Sequence, residues 1–188
     1  IWISCTSPLK NSVWKVLGSE DEKGLQAINQ LVRKDGEWSA SNSDGGGFIL
    51  ACRHIGVEPR GSILRIRGGG STARSIAYSW SKEGGQIIPV RGRRALPGGP
   101  WDVSFVDDSL EAHLSLDLDV EAGGGGSFPL PAGRQISISY DEDWKIDDFA
   151  VIMVVAQHLE AWKKLFSPDK IDQLPSLIEL LELLNERH

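Results

Sequence analysis

The stretch SILRIRGGGSTARSIAYSWS occupies residues 62–81, and the way it is read decides the fold. Taken piecewise it offers two short strands, SILRIR and SIAYSWS, on either side of a GGGS run at 68–71. Isoleucine, tyrosine and tryptophan suit a pleated, half-buried surface. Gly/Ser runs behave as flexible coil, and a second one, GGGGS, stands at 123–127. Two such runs in one chain lead us to expect engineered spacers in place of two long surface loops, a change that loop-closure entropy tolerates.

Working outward, the region from Glu37 to Tyr140 reads as β, with seven candidate strands: FILACRHI (48–55), SILRIR, SIAYSWS, GQIIPVRG (85–92), WDVSFV (101–106), LEAHLSLDLDV (110–120) and RQISISY (134–140). In the sixth, Leu114, Leu116, Leu118 and Val120 alternate with His113, Ser115, Asp117 and Asp119. One dry and one wet face is the signature of antiparallel sheet. Turn chemistry separates the strands, as in KEGG and LPGGP.

Upstream, IWISC and SVWKVLG read as further short strands. The segment SEDEKGLQAINQLVRKDG (19–36) reads as an amphipathic helix. Ser19 and Glu22 form a capping-box pair, Leu25, Ile28, Leu31 and Val32 form the apolar stripe, and Gly36 is the stop. Downstream, Asp147 and Asp148 open a helix through FAVIMVVA, with Lys163 and Lys164 in its last turn and Pro168 beyond. A strand through FAVIMVV is the rival reading. A Leu-rich helix closes the chain. The fold expected is α+β: a mainly antiparallel sheet or partly closed barrel, one early amphipathic helix and two C-terminal helices, in a single domain over 1–188.

A chain of 188 residues with 40% hydrophobic and 24% charged residues can bury a globular core. Its longest apolar run, residues 149–156, falls short of a membrane span. The start IWISCTSPLK shows no signal peptide and no initiator Met, so a piece of a larger intracellular protein, in cytoplasm or nucleus, is expected. Cys5 and Cys52 lack CxxC spacing and read as buried thiols.

Charge is unevenly spread. Residues 48–96 carry a net +7, whereas residues 97–188 carry −12. Arg65, Arg67, Arg74, Arg91, Arg93 and Arg94 are candidate ligands for a polyanion, because the guanidinium fork suits phosphate. The competing reading pairs them with acidic strand residues such as Asp117 and Asp119. We read no HExxH, no GxSxG, no P-loop and no GxGxxG following a strand. No catalytic residue, metal or cofactor is therefore expected. A Cys52–His54 pair is the one nucleophile arrangement considered. Leu174, Leu177, Ile178, Leu181 and Leu184 line one side of the last helix, with LxxLL spacing suited to an apolar groove.

These readings lead to a non-enzymatic protein-binding scaffold or adaptor, a subunit of some complex or a homo-oligomer. A polyanion module, binding nucleic acid or anionic lipid, is the alternative.

Overall fold

The computed structural model describes residues 1–17, 25–119, 130–139 and 143–187. The chain runs β1 (Trp2–Ser4), α1 (Leu9–Leu17), β2 (Gln30–Lys34), β3 (Glu37–Ser41), α2 (Asp44–His54), β4 (Ile63–Arg67), α3 (Ser71–Lys82), β5 (Gln86–Val90), β6 (Leu114–Asp117), β7 (Arg134–Ile136), α4 (Phe149–Ala161) and α5 (Leu177–Asn185).

Strands β1, β2 and β3 form a small antiparallel sheet in that order. The early helix expected over 19–36 is absent from 25–36. The Ser19–Glu22 capping pair lies outside the described residues. Asp35 and Gly36 both have positive φ, 52° and 89°, which makes a two-residue type I′ turn between β2 and β3. Gly36 thus closes a hairpin rather than a helix. Leu31 and Val32 are buried as strand residues paired with β1 and β3. The expected strand SVWKVLG is instead helix α1 as far as Leu17.

The second sheet has four strands in the order β5-β4-β6-β7, every neighbouring pair parallel. This overturns the expected mainly antiparallel sheet or barrel: the architecture is Rossmann-like α/β. Two of the seven candidate strands are helices. FILACRHI lies in α2, and SIAYSWS lies in α3, which carries the chain from β4 back to β5. Short apolar runs do not distinguish a strand from a buried helix by periodicity. WDVSFV holds a short 3-10 turn, Asp102–Ser104.

One face of the parallel sheet, through Leu64, Ile66, Ile87, Leu114 and Leu116, packs with Ala73, Ile76, Ala77 and Trp80 of α3. Phe48, Ile49, Ala51 and Cys52 of α2 and Ile152 and Met153 of α4 complete this core. A glycine makes the α2–α3 contact possible. A Cβ at Gly45 would sit 2.2 Å from the carbonyl oxygen of Ser75. On the opposite face Ile63, Ile88 and Ala112 form a smaller cluster. Helix α4 starts after Asp148 as its sequence pattern places it but ends at Ala161, and Lys163 and Lys164 fall in a π-helical turn beyond it, Trp162–Phe166. A capping box opens α5: the Ser176 N–H donates to Glu179 Oε2 at 2.7 Å, and the Glu179 N–H donates back to Ser176 Oγ at 3.2 Å.

The GGGS run at 68–71 is the turn from β4 into α3. Gly68 has φ +112°, in the left-handed region that only glycine enters freely, and Gly70 is the N-cap of α3. These residues have a place in the packing that a flexible spacer does not require. The run at 123–127 lies outside the described residues. Among the described residues no helix is long and apolar enough to cross a membrane.

Candidate active site

The chain leaves β4 for β5 on one side, yet β6 lies on β4's other side. Ligands of open α/β sheets settle outside the carboxyl ends of the strands at such a reversal. A cavity of about 380 Å³ lies there. Its wall includes Gly70, Ser71, Thr72 and Arg74 after β4, Arg93 and Arg94 after β5, and Leu118 and Asp119 after β6. Its volume is that of a small-molecule site.

The turn has the features that a phosphate-binding turn needs. Gly68, Gly70 and Ala73 stand at G-x-G-x-x-A spacing between a strand and a helix. Gly70 faces open space: a Cβ there would meet nothing closer than an Arg94 nitrogen at 3.6 Å. Ala73 is fully buried where α3 packs on the sheet. The first turn of α3 presents backbone N–H groups and the positive end of the helix dipole toward the cavity. These residues fit a dinucleotide's pyrophosphate.

Beside this cavity lies a second, of about 290 Å³, lined by residues that include Ser4, Cys5, Thr6, Asn29, Gln30, Met153, Gln157 and His158. Lys10 and Thr72 line both cavities. Between them Lys10 Nζ meets Asp44 Oδ2 at 2.6 Å, with the Asp44 side chain 1% exposed and that of Lys10 14%. Asn29 Nδ2 donates to Asp44 Oδ1 at 2.8 Å, and Asn29 Oδ1 accepts from the Ser43 N–H at 2.8 Å. The Asp44 carboxylate is held on both oxygens, as a buried charge requires. Burial pushes the Cys5 thiol above its ordinary value, with the Lys10 ammonium pulling the other way. A cation and a carboxylate in hydrogen-bond contact at the wall of a cavity can pass a proton to or from a substrate oxygen.

The six candidate arginines separate. Arg74, Arg93 and Arg94 line the first cavity. Arg91 is exposed and is not among its lining residues. Arg67 pairs across the sheet with Asp117 at 2.7 Å, and Arg65 donates to the carbonyl oxygens of Asp108 and Leu110. Pairing with the acidic strand residues therefore describes Arg67 and, through Asp119, Arg93, whereas Arg65 is held by backbone carbonyls. Arg93 reaches Asp119 through its backbone N–H and, at 3.8 Å, its guanidinium. On the last helix Leu181 is buried in the main core, Leu177 packs against it, and Ile178 and Leu184 are exposed, whereas Leu174 lies before the helix in extended backbone and is half-buried. Cys52 is fully buried within α2, and its thiol is pushed far up by desolvation. Among the described residues no group of three His, Cys, Asp or Glu side chains is placed to hold a metal.

Sequence reasoning missed Lys10, Asn29, Asp44 and the glycine turn. The turn carried a usable signal, the G-x-G-x-x-A spacing, hidden because Gly69 makes the run look like a spacer. Lys10, Asn29 and Asp44 carried none, since each is an ordinary polar residue until the fold brings them together.

No known protein-family profile matches the chain. It is 32% identical over 148 residues to a shikimate dehydrogenase (NADP(+)) of Rubrobacter xylanophilus, covering 70% of this chain and 52% of that protein. It is 37% identical over 154 residues to one from Xanthomonas campestris pv. campestris, covering 71% and 54%. The chain thus spans about half the length of these curated relatives. Among solved structures, shikimate 5-dehydrogenase from Thermus thermophilus, in complex with NADP(H) and shikimate, superposes with a TM-score of 0.72 at 18% identity, over 98% of this chain and 78% of that one. The fold is that of the shikimate dehydrogenases. Similarity to these enzymes, together with the cavity at the strand ends, overturns the expected non-enzymatic scaffold.

Proposed function

We propose that this chain carries the cofactor site and the acid–base pair of an NADP-dependent oxidoreductase, and that its substrate is shikimate or a closely related hydroxylated ring acid. The observation that carries the reading is the adjacency of the two cavities. A glycine turn fit for pyrophosphate and a buried Lys10–Asp44 pair share one wall. The names of the curated relatives supply the cofactor and substrate class.

A nicotinamide held there would supply hydride exchange at the ring carbon that bears the oxygen. The chain's own residues do the rest. Backbone N–H groups at the start of α3 hold the phosphates. Arg93 and Arg94 offer charge-assisted hydrogen bonds to a ribose phosphate beside β5. In the alcohol-to-ketone direction the hydroxyl proton passes to Nζ of the neutral Lys10 amine, and in reverse the Lys10 ammonium so formed returns it to the carbonyl oxygen, with the Asp44 carboxylate stabilising the ammonium. Asn29 holds the carboxylate still on its other oxygen. The polar walls at Ser4, Thr6 and Gln157 suit a substrate with several hydroxyls. Cys5 and Cys52 are both free thiols, in keeping with a reducing compartment, and we assign the protein to the cytoplasm.

The test is NADPH formation from shikimate and NADP+ by the protein that carries this chain, with Lys10→Met and Asp44→Asn beside the wild type. Turnover by the wild type and loss in both variants supports the reading. Absence of NADP+ reduction with shikimate and with related hydroxylated ring acids would falsify it.

A further inference from the structure

Thr72 stands two residues past Gly70, in the first turn of α3, and its hydroxyl is committed to the acid–base pair. Lys10 Nζ donates to Thr72 Oγ1 at 3.3 Å, and Thr72 Oγ1 donates to Asp44 Oδ2 at 3.3 Å. An ammonium can only donate and a hydroxyl has one proton. The direction of both bonds is therefore fixed: Thr72 accepts from Lys10 and gives its proton to Asp44. With the 2.6 Å Lys10–Asp44 contact these bonds close a triangle whose corners come from α1, α2 and α3.

The three corners differ in how firmly they are held. Asp44 opens α2, takes Asn29 on its other oxygen, and its own N–H donates to Asn42 Oδ1 at 3.0 Å. Thr72 is anchored one turn further along α3. Ser75 Oγ accepts from the Gly45 N–H at 2.8 Å and donates to Asn42 Oδ1 at 2.5 Å. The lack of space at Gly45 prevents α3 from sliding along α2. Lys10 is the mobile corner, a four-carbon stem with large rotamer freedom. Its head group has two described partners, Asp44 and Thr72.

We infer that Thr72 is a positioning residue: its hydroxyl shares the Lys10 ammonium with Asp44 and holds it at the wall between the two cavities, tying the glycine turn to the acid–base pair. This rests on the reading of the cavities proposed above. A hydrogen bond to a charged group has an effect large enough to read in kinetics.

The test compares wild type with Thr72→Val, which keeps the shape and removes the hydroxyl, and Thr72→Ser, which keeps the hydroxyl. Four quantities are read: kcat and KM for shikimate, NADP+ affinity by tryptophan fluorescence, melting temperature, and the rate of Lys10 acylation by acetic anhydride from peptide mass spectrometry. For Thr72→Val the expected result is a kcat lower by roughly tenfold or more, with NADP+ affinity and melting temperature near wild type. Lys10 should acylate several-fold faster. Thr72→Ser should restore both kcat and the acylation rate. Wild-type kcat and acylation in Thr72→Val overturn the inference. So does Thr72→Ser failing as badly as Thr72→Val, which assigns the effect to the methyl group. Parallel loss of NADP+ affinity also overturns it, by making Thr72 a cofactor ligand. If the wild type turns over no substrate, the proposed function falls while the acylation rates still decide the role of Thr72.

Discussion

Gly69 lies against the backbone of Ala95 so closely that a Cβ at position 69 would sit 1.8 Å from the Ala95 carbonyl oxygen. The turn after β4 is thereby locked against the segment after β5, and both form one wall of the larger cavity. Its neighbour Gly70 differs, because a Cβ there meets only an Arg94 nitrogen at 3.6 Å. The same substitution at these two positions therefore has two different outcomes.

Gly69→Ala forces backbone apart and should destabilise the protein by about 1–3 kcal/mol, as overpacking does. Gly70→Ala should leave the urea midpoint near wild type, since φ −74° suits alanine. Its methyl group instead fills the space a phosphate approaches, and NADP+ affinity should fall tenfold or more. Wild-type affinity in Gly70→Ala, measured by fluorescence titration, places the dinucleotide elsewhere.

The Lys10–Asp44 pair should show an asymmetry between its members. Lys10→Met strands a carboxylate that is 1% exposed, whereas Asp44→Asn leaves an ammonium whose flexible stem can still reach water. Breaking a buried pair costs about 3–5 kcal/mol when the remaining charge is trapped. Urea unfolding should therefore find Lys10→Met the less stable variant. Both should lose turnover by about 10²–10⁴-fold, the usual share of acid–base catalysis. Equal stability losses argue that Asp44 finds other support.

Arg94 reaches the cavity beside Gly70, and Arg93 is steadied by Asp119. Arg94→Ala should weaken NADP+ binding by roughly tenfold, in line with loss of a charge-assisted hydrogen bond. NAD+ binding should hardly change, because it lacks the ribose phosphate. Calorimetric titration with both dinucleotides checks this, and an equal loss for the two assigns Arg94 to the shared pyrophosphate.

Cys52 makes a pH prediction. Its folded thiol titrates well above the unfolded value of about 8.5, because burial disfavours the thiolate. Below about pH 8.5 both states keep the proton, and the group's contribution is constant. Above it the unfolded chain alone ionises, so stability should decline by up to about 1.4 kcal/mol per pH unit. Urea unfolding at pH 7.5 and 9.5 should show this decline, and Cys52→Ala should lessen it. In the native protein Cys52 should resist a thiol reagent until denaturant is added.

Part of the fold was legible locally. The helices at Phe149–Ala161 and Leu177–Asn185 were, because apolar run length, the acidic start at Asp147 and Asp148 and the spacing of the leucines act within a few residues. The strand cores at Ile63–Arg67, Gln86–Val90 and Leu114–Asp117 were also visible. Of the site, the sequence marked Arg74, Arg93 and Arg94 as anion-seeking and passed over the turn beside them.

The chain by itself determines where apolar runs lie and that regular structure breaks at Gly36 and at the glycine run of 68–71, since these follow from side-chain pattern and the freedom of glycine. Tertiary structure decides the rest. Whether residues 48–55 and 75–81 coil or extend depends on the partners they bury against, and Leu25, Ile28, Leu31 and Val32 satisfy a helical stripe until β1 and β3 claim Leu31 and Val32 for a sheet. Parallel pairing is invisible in any one strand because its partners are supplied from far along the chain. The acid–base pair is the extreme case: Lys10, Asp44 and Thr72 become a site only when α1, α2 and α3 converge, and no short-range interaction requires that they do.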